Sequence, residues 1–135
     1  MLEKGAHPHF DHLIDFTKGE INRSIFSDPA IYQRELKQIF ARCWLFLGHT
    51  SQLPRENDFF TAYMGEDPVI VTRHSDGQSG AFLNMCRHRG NRVCRADNGN
   101  QRMFTYPFHG WTFANNGNLK TVPGLETCGF GIRAV

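Results

Sequence analysis

No stretch of the 135 residues approaches the ~20 consecutive apolar residues of a membrane span. The first residues, Met1-Leu2-Glu3-Lys4-Gly5-Ala6-His7, have no long apolar core of the signal-peptide kind. Both absences lead to the expectation of a cytoplasmic protein with no membrane partner. Charge of one sign is scarce as well. The formal net charge is +2, and the aromatics alternate as core rather than interleave with basic residues. No nucleic-acid partner is therefore expected. There is no internal repeat and no low-complexity segment. Cysteine is limited to Cys43, Cys86, Cys94 and Cys128. Disulfides belong to a secreted context, whereas cytosolic cysteines interleaved with histidines suggest metal. What is present is an ordinary globular composition, 40% hydrophobic and 21% charged, long enough for one domain.

Ser27-Asp28-Pro29 reads as a helix start, with a capping side chain followed by Pro at the first helical position. Ile31, Leu36, Ile39, Phe40 and Cys43 then recur at helical spacing, which predicts a helix from about Pro29 to Cys43 with Arg34, Lys37 and Gln38 on its polar side. The period changes after Trp44. The run 44–48 is a strand candidate, as are 58–64, 68–73, 80–85 and 103–105, separated by turns rich in Gly, Asp and Asn. Asn98-Gly99-Asn100 and Asn115-Asn116-Gly117-Asn118 read as further turns. The expected fold is mainly β: residues 1–43 as N-terminal segment and helix, then an antiparallel β domain over 44–135. Gly131–Val135 reads as the start of one more strand without a following partner, so the chain is expected to be a fragment, incomplete at its C-terminus.

Two loops carry the candidate chemistry. The strand 80–85 runs into Cys86-Arg87-His88-Arg89-Gly90, and the strand 103–105 runs into Tyr106-Pro107-Phe108-His109-Gly110-Trp111. Two strand ends thus each present possible metal ligands. His7, His9 and His12 lie in a polar terminus, His49 follows the 44–48 strand candidate and His74 sits before a turn; these read as a mobile terminus and as surface or satisfied-core histidines. Cys43 and Cys128 have no spacing partner and read as inert thiols, and Cys94 reads as a buried core thiol. Arg87, Arg89, Arg92, Arg95 and Arg102 crowd the same region. They read as a solvated basic face or as a surface that steers an acidic electron donor. Trp111 could shield the loops from water or serve as plain core.

The two-part motif resembles the Rieske signature of the large subunits of bacterial aromatic-ring-hydroxylating dioxygenases. The stretches 39–49, 58–60 and 64–71 resemble the same family, and the likeness runs from about Phe16 to Val122. The resemblance implies a Rieske-type [2Fe-2S] domain. Such a cluster has two Cys on one iron and two His on the other, which raises its potential to roughly −150 to +300 mV against about −400 mV for an all-Cys ferredoxin. Carried over residue by residue, Cys86 becomes one thiolate ligand, and His88 and His109 become the imidazole ligands. The implied parent reaction is NAD(P)H- and O2-dependent cis-dihydroxylation of an aromatic ring. The implied partners are a ferredoxin or reductase, other large subunits and a small β subunit. The mononuclear Fe(II) that activates oxygen is expected in a catalytic domain that these residues do not include.

One position departs from the pattern. Tyr106 stands where the family has its second Cys ligand. A phenol oxygen lies further from the backbone than a thiolate sulfur, so Tyr106 fills the fourth ligand position only if metal or loop moves. Its ring is expected either to turn away or to fill the space between Cys86 and His109. The alternatives are a cluster-free remnant of the fold, or a zinc module using Cys86, His88, Cys94 and His109.

Overall fold

The computed structural model describes residues 13–125. Contacts divide the chain into two compact units, Met1–Trp44 and Leu45–Val135. The readings placed on His7, His9, His12, Cys128 and Gly131–Val135 lie outside the described residues.

In the first unit a short antiparallel pair, β1 (Ile14–Asp15) and β2 (Glu20–Ile21), precedes helix α1 (Pro29–Glu35). The helix starts where the sequence places it. Asp28 is the N-cap, its carboxylate accepting from the Ala30 N–H at 2.8 Å, and Pro29 takes the first turn. Beyond Glu35 the helix widens into a π turn over Leu36–Phe40, with the Ala41 N–H donating to the Leu36 carbonyl at 3.0 Å. The expected regular helix to Cys43 therefore ends early, at Phe40. No residue of α1 is fully buried, and of its predicted apolar side Ile31 is half-buried, as are Leu36 and Phe40 of the π turn. Arg34 and Gln38, expected on the polar side, instead line an open groove of about 220 Å³ together with Ile31 and Ile39.

The second unit is antiparallel throughout. One sheet has the order β5-β4-β3-β6, with β3 (Asp58–Met64), β4 (Asp67–Arg73), β5 (Ser79–Leu83) and β6 (Asn98–Asn100). A second sheet, β7-β8-β9, is made of Met103–Thr105, Thr112–Ala114 and Leu119–Thr121. Two expectations are corrected. Residues 44–48 form no strand: Trp44 and Phe46 are almost fully exposed, and no strand pairs with them among the described residues. A short apolar run does not make a strand without a pairing partner. Conversely, Asn98-Gly99-Asn100 is an edge strand rather than a turn, with Gly99 opposite Phe59. The Asn100 amide that suggests a turn instead donates to the Glu56 carbonyl at 2.7 Å and to the Asp58 carboxylate at 2.8 Å.

The core lies where strands from both sheets meet the two loops. Phe59, Ile70, Phe104 and Phe113 come from strands, and Cys86, Val93, Cys94 and Tyr106 from the loops. Phe104 meets Phe59 edge-on at 5.1 Å and Phe82 at 5.9 Å. Buried polar side chains stitch the layers together. The Thr72 hydroxyl donates to the Asn115 carbonyl at 2.6 Å, and the Asn115 amide donates to the Asn57 side-chain oxygen at 2.9 Å.

Candidate functional site

The two loops share one backbone design. In the first, the Cys86 N–H donates to the Asn91 carbonyl at 2.8 Å, and the Cys86 carbonyl accepts from the Gly90 N–H at 2.8 Å. In the second, the Tyr106 N–H donates to the Trp111 carbonyl at 2.7 Å, and the Tyr106 carbonyl accepts from the Gly110 N–H at 2.9 Å. Gly90 and Gly110 close these turns with φ of 74° and 72°, a left-handed conformation that a side chain makes costly. Tyr106 therefore occupies in its loop the same backbone seat that Cys86 occupies in the other.

The loops lie side by side. Cys86 and Tyr106 are each 1% exposed and share the core cluster. The His88 and His109 rings meet edge-on, with centroids 4.4 Å apart. His88 is exposed and stacks on Trp111 at 5.1 Å with an interplanar angle of 8°. Trp111 thus covers a histidine and packs against the core; it precedes β8 rather than lying in it. Phe108, 72% exposed, meets the edge of His109 at 4.4 Å. Desolvation first, then the nearby His88 and Arg89, hold His109 below the ordinary imidazole pKa. Its Nδ1 is buried and meets no hydrogen-bond partner among the described residues.

Several residues outside the sequence-based site hold the loops. Asn84 is 2% exposed. Its amide donates to the Cys94 carbonyl at 2.7 Å, and its side-chain oxygen accepts from the Val93 and Cys94 N–H groups at 3.1 and 2.8 Å. Asn91 spans the two loops, its carbonyl taking the Cys86 N–H while its side-chain amide donates to the Tyr106 hydroxyl at 2.9 Å. The alternation that turns Phe82 inward on β5 also turns Asn84 inward, and a buried amide needs partners. That signal is in the sequence. Nothing in the sequence points to Asn91.

The other candidates fall outside this meeting point. Cys94 is buried with its thiol 3.6 Å from the Ala96 carbonyl, and burial pushes its pKa up. Cys43 is exposed. His49 caps a short 3-10 turn by accepting from the Ser51 N–H at 3.2 Å, and His74 is half-buried, 4.0 Å from Asp76. Arg87, Arg89, Arg92, Arg95 and Arg102 are all exposed. Arg92 hydrogen-bonds the Tyr63 hydroxyl and lies over that ring, 5.5 Å from its centroid.

An antiparallel β domain that pairs a Cys-x-His loop with a Pro-x-His loop defines a class, and residues 43–131 match the Rieske [2Fe-2S] domain family. The chain belongs to that family. Its relatives narrow the class to the large subunits anticipated from the loop motifs. It is 47% identical over 130 residues to the biphenyl 2,3-dioxygenase subunit alpha of Rhodococcus jostii, covering 96% of this chain and 28% of that one. It is 50% identical over 111 residues to a benzene 1,2-dioxygenase subunit alpha of Pseudomonas putida, covering 82% of this chain and 25% of that one. A naphthalene 1,2-dioxygenase structure with indole bound in the active site superposes with a TM-score of 0.82 at 41% identity, over 94% of this chain and 28% of the other. The chain thus spans 25–28% of the length of these relatives.

The donor set does not fit the group the family is named for. A Rieske cluster takes two thiolates and two imidazoles. The orphaned Nδ1 of His109 suits a metal-facing nitrogen. The seat equivalent to that of Cys86, however, holds a phenol whose hydroxyl is already bonded to Asn91. The Tyr106 ring is buried in the core cluster that also holds Cys86 and lies 5.5 Å from the His109 ring. Among the described residues, no three His, Cys, Asp or Glu side chains gather closely enough to hold a metal ion, and this includes the zinc set Cys86, His88, Cys94 and His109.

Proposed function

We propose that this chain corresponds to the electron-transfer Rieske module of an aromatic-ring-hydroxylating dioxygenase large subunit, with Tyr106 in the place of one cluster ligand. The observation that carries the reading is the pair of matched loops, which seats Tyr106 as Cys86 is seated and sets the His88 and His109 rings in contact. The relatives' names, dioxygenases of biphenyl and benzene, support an O2-dependent attack on an aromatic ring, and we read the parent reaction as its NAD(P)H-dependent cis-dihydroxylation. In this reading Cys86, His88 and His109 are ligand positions of a [2Fe-2S] cluster, and the mononuclear Fe(II) belongs to another domain. The exposed arginines around the loops suit an acidic donor, a ferredoxin or reductase. The remaining partners are other large subunits and a small β subunit, and the compartment is the cytoplasm. No helix among the described residues is long and apolar enough to cross a membrane.

The test is Tyr106→Cys. After anaerobic reconstitution with iron and sulfide, the variant is expected to be coloured, to bind two irons per chain and to give a reduced-state EPR signal, while the unaltered chain shows none of these. A folded Tyr106→Cys protein that takes up no more iron than the unaltered chain overturns the reading. For the chain as it stands, a second reading is favoured by the buried, hydrogen-bonded Tyr106: a fold that keeps the family architecture and carries no cluster.

A further inference from the structure

We infer that Tyr106 does structurally what a metal group does at this place, tying the two loops together so that the domain folds and holds its loops with no iron. The inference rests on the reading of the loops as a closed cluster seat. A cluster bound between two loops cross-links them and fills the space between them. Tyr106 does both. Its ring is among the largest fully buried side chains and lies in one core cluster with Cys86, Val93 and Cys94 of the first loop region and with Phe104 and Phe113 of the second sheet. Its hydroxyl reaches the first loop and accepts from the Asn91 amide at 2.9 Å. Asn91 is in turn the residue whose carbonyl holds the Cys86 N–H. One phenol thus joins the residue that shapes the first loop to the first residue of the second.

The closure is also self-sufficient. With its hydroxyl bonded and its ring among apolar neighbours, Tyr106 leaves no thiolate charge in the core that needs a metal to balance it. Cys86, beside it, is a buried thiol in an apolar cluster, and a lone thiol there behaves as a small hydrophobe. The two histidines lie on the more open side, His88 exposed and His109 half-buried, where they do not have to be metallated for the core to close.

The experiment compares the full 135-residue chain with Tyr106→Phe and Tyr106→Cys. Each is measured after exhaustive treatment with a ferrous and ferric chelator, and again after iron–sulfide reconstitution. The readouts are thermal midpoint, iron content, absorption spectrum and hydrogen exchange at Cys86, Gly90, Tyr106 and Gly110. The unaltered chain is expected to give one midpoint and one exchange pattern in both states. Tyr106→Phe, which keeps the ring and loses the tie, is expected to melt lower by roughly 2–5 °C and to exchange faster at the loop amides, again without regard to iron. Tyr106→Cys is expected to become iron-dependent, with a midpoint that rises on reconstitution and falls on chelation.

A midpoint of the unaltered chain that drops on chelation overturns the inference. So does a visible charge-transfer band of phenolate on ferric iron, or a Tyr106→Phe protein that matches the unaltered chain in both midpoint and loop exchange. If Tyr106→Cys does not fold, the first two proteins decide the matter alone. If Tyr106→Cys folds and takes up no cluster, the functional reading falls, while iron-independent melting of the unaltered chain would still support the tie.

Discussion

Asn84 shows how much of the site rests on a single residue. Its side chain satisfies two N–H groups and one carbonyl of the segment that leads away from the first loop. Asn84→Ala leaves those buried groups without partners, at a cost of about 2–4 kcal/mol. The expected outcome is a lower midpoint in urea unfolding with an unchanged slope. Asp58 carries the charge-based counterpart. The Asn100 amide first, then the Arg55 N–H and guanidinium, hold its carboxyl below the ordinary carboxylate pKa. A depressed folded-state pKa contributes stability that is fully present above the unfolded value of about 3.9. That contribution is lost as pH falls through the lower, folded value. Asp58→Asn should therefore be less stable than the unaltered chain at pH 7, with the gap shrinking below about pH 4. Paired thermal melts at pH 7 and pH 3 check this, and a gap that widens in acid contradicts it.

At the scale of the element, the two turns that carry the site have the same shape and different surroundings. Gly90 and Gly110 both take left-handed φ, so a side chain at either costs about 1–2 kcal/mol. A Cβ at Gly90 meets nothing, whereas one at Gly110 comes to 2.9 Å from the Pro123 ring. Gly110→Ala is thus expected to destabilise the domain more than Gly90→Ala and to loosen the ring contact between His88 and His109. Calorimetry of the two variants checks the first expectation, and imidazole NMR shifts check the second. Equal losses of stability would mean that the contact with Pro123 carries nothing.

For the whole molecule, two matched loops on an antiparallel scaffold lie side by side, with Cys86 and Tyr106 in one core cluster and the His88 and His109 rings in contact. Among the described residues no three His, Cys, Asp or Glu side chains gather closely enough to hold a metal ion. The 135-residue chain alone, supplied with NADH, reductase, ferredoxin and biphenyl or benzene, is expected to form no dihydrodiol. Product analysis by chromatography checks this, and any product above a boiled control contradicts it.

The sequence by itself determined the family and the fold class, and it marked the two loops proposed as the site. The capped start of α1, the alternation along β3 to β5, and the Cys86-x-His88 and Pro107-x-His109 motifs are local signals, written in neighbouring residues. The mismatch at Tyr106 was legible too, because it needs only the residue type. Partnerships across the chain were not legible. Whether 44–48 pairs as a strand, whether Asn98–Asn100 turns or joins β3, and where the helix slips into a π turn each depend on neighbours far away in the sequence. The same holds for Asn91. Its reach to the Tyr106 hydroxyl exists only because two strand ends bring their loops together. The orientation of Tyr106 was decided there as well, since a phenol turns inward only where the core leaves room for its ring and a donor waits for its oxygen.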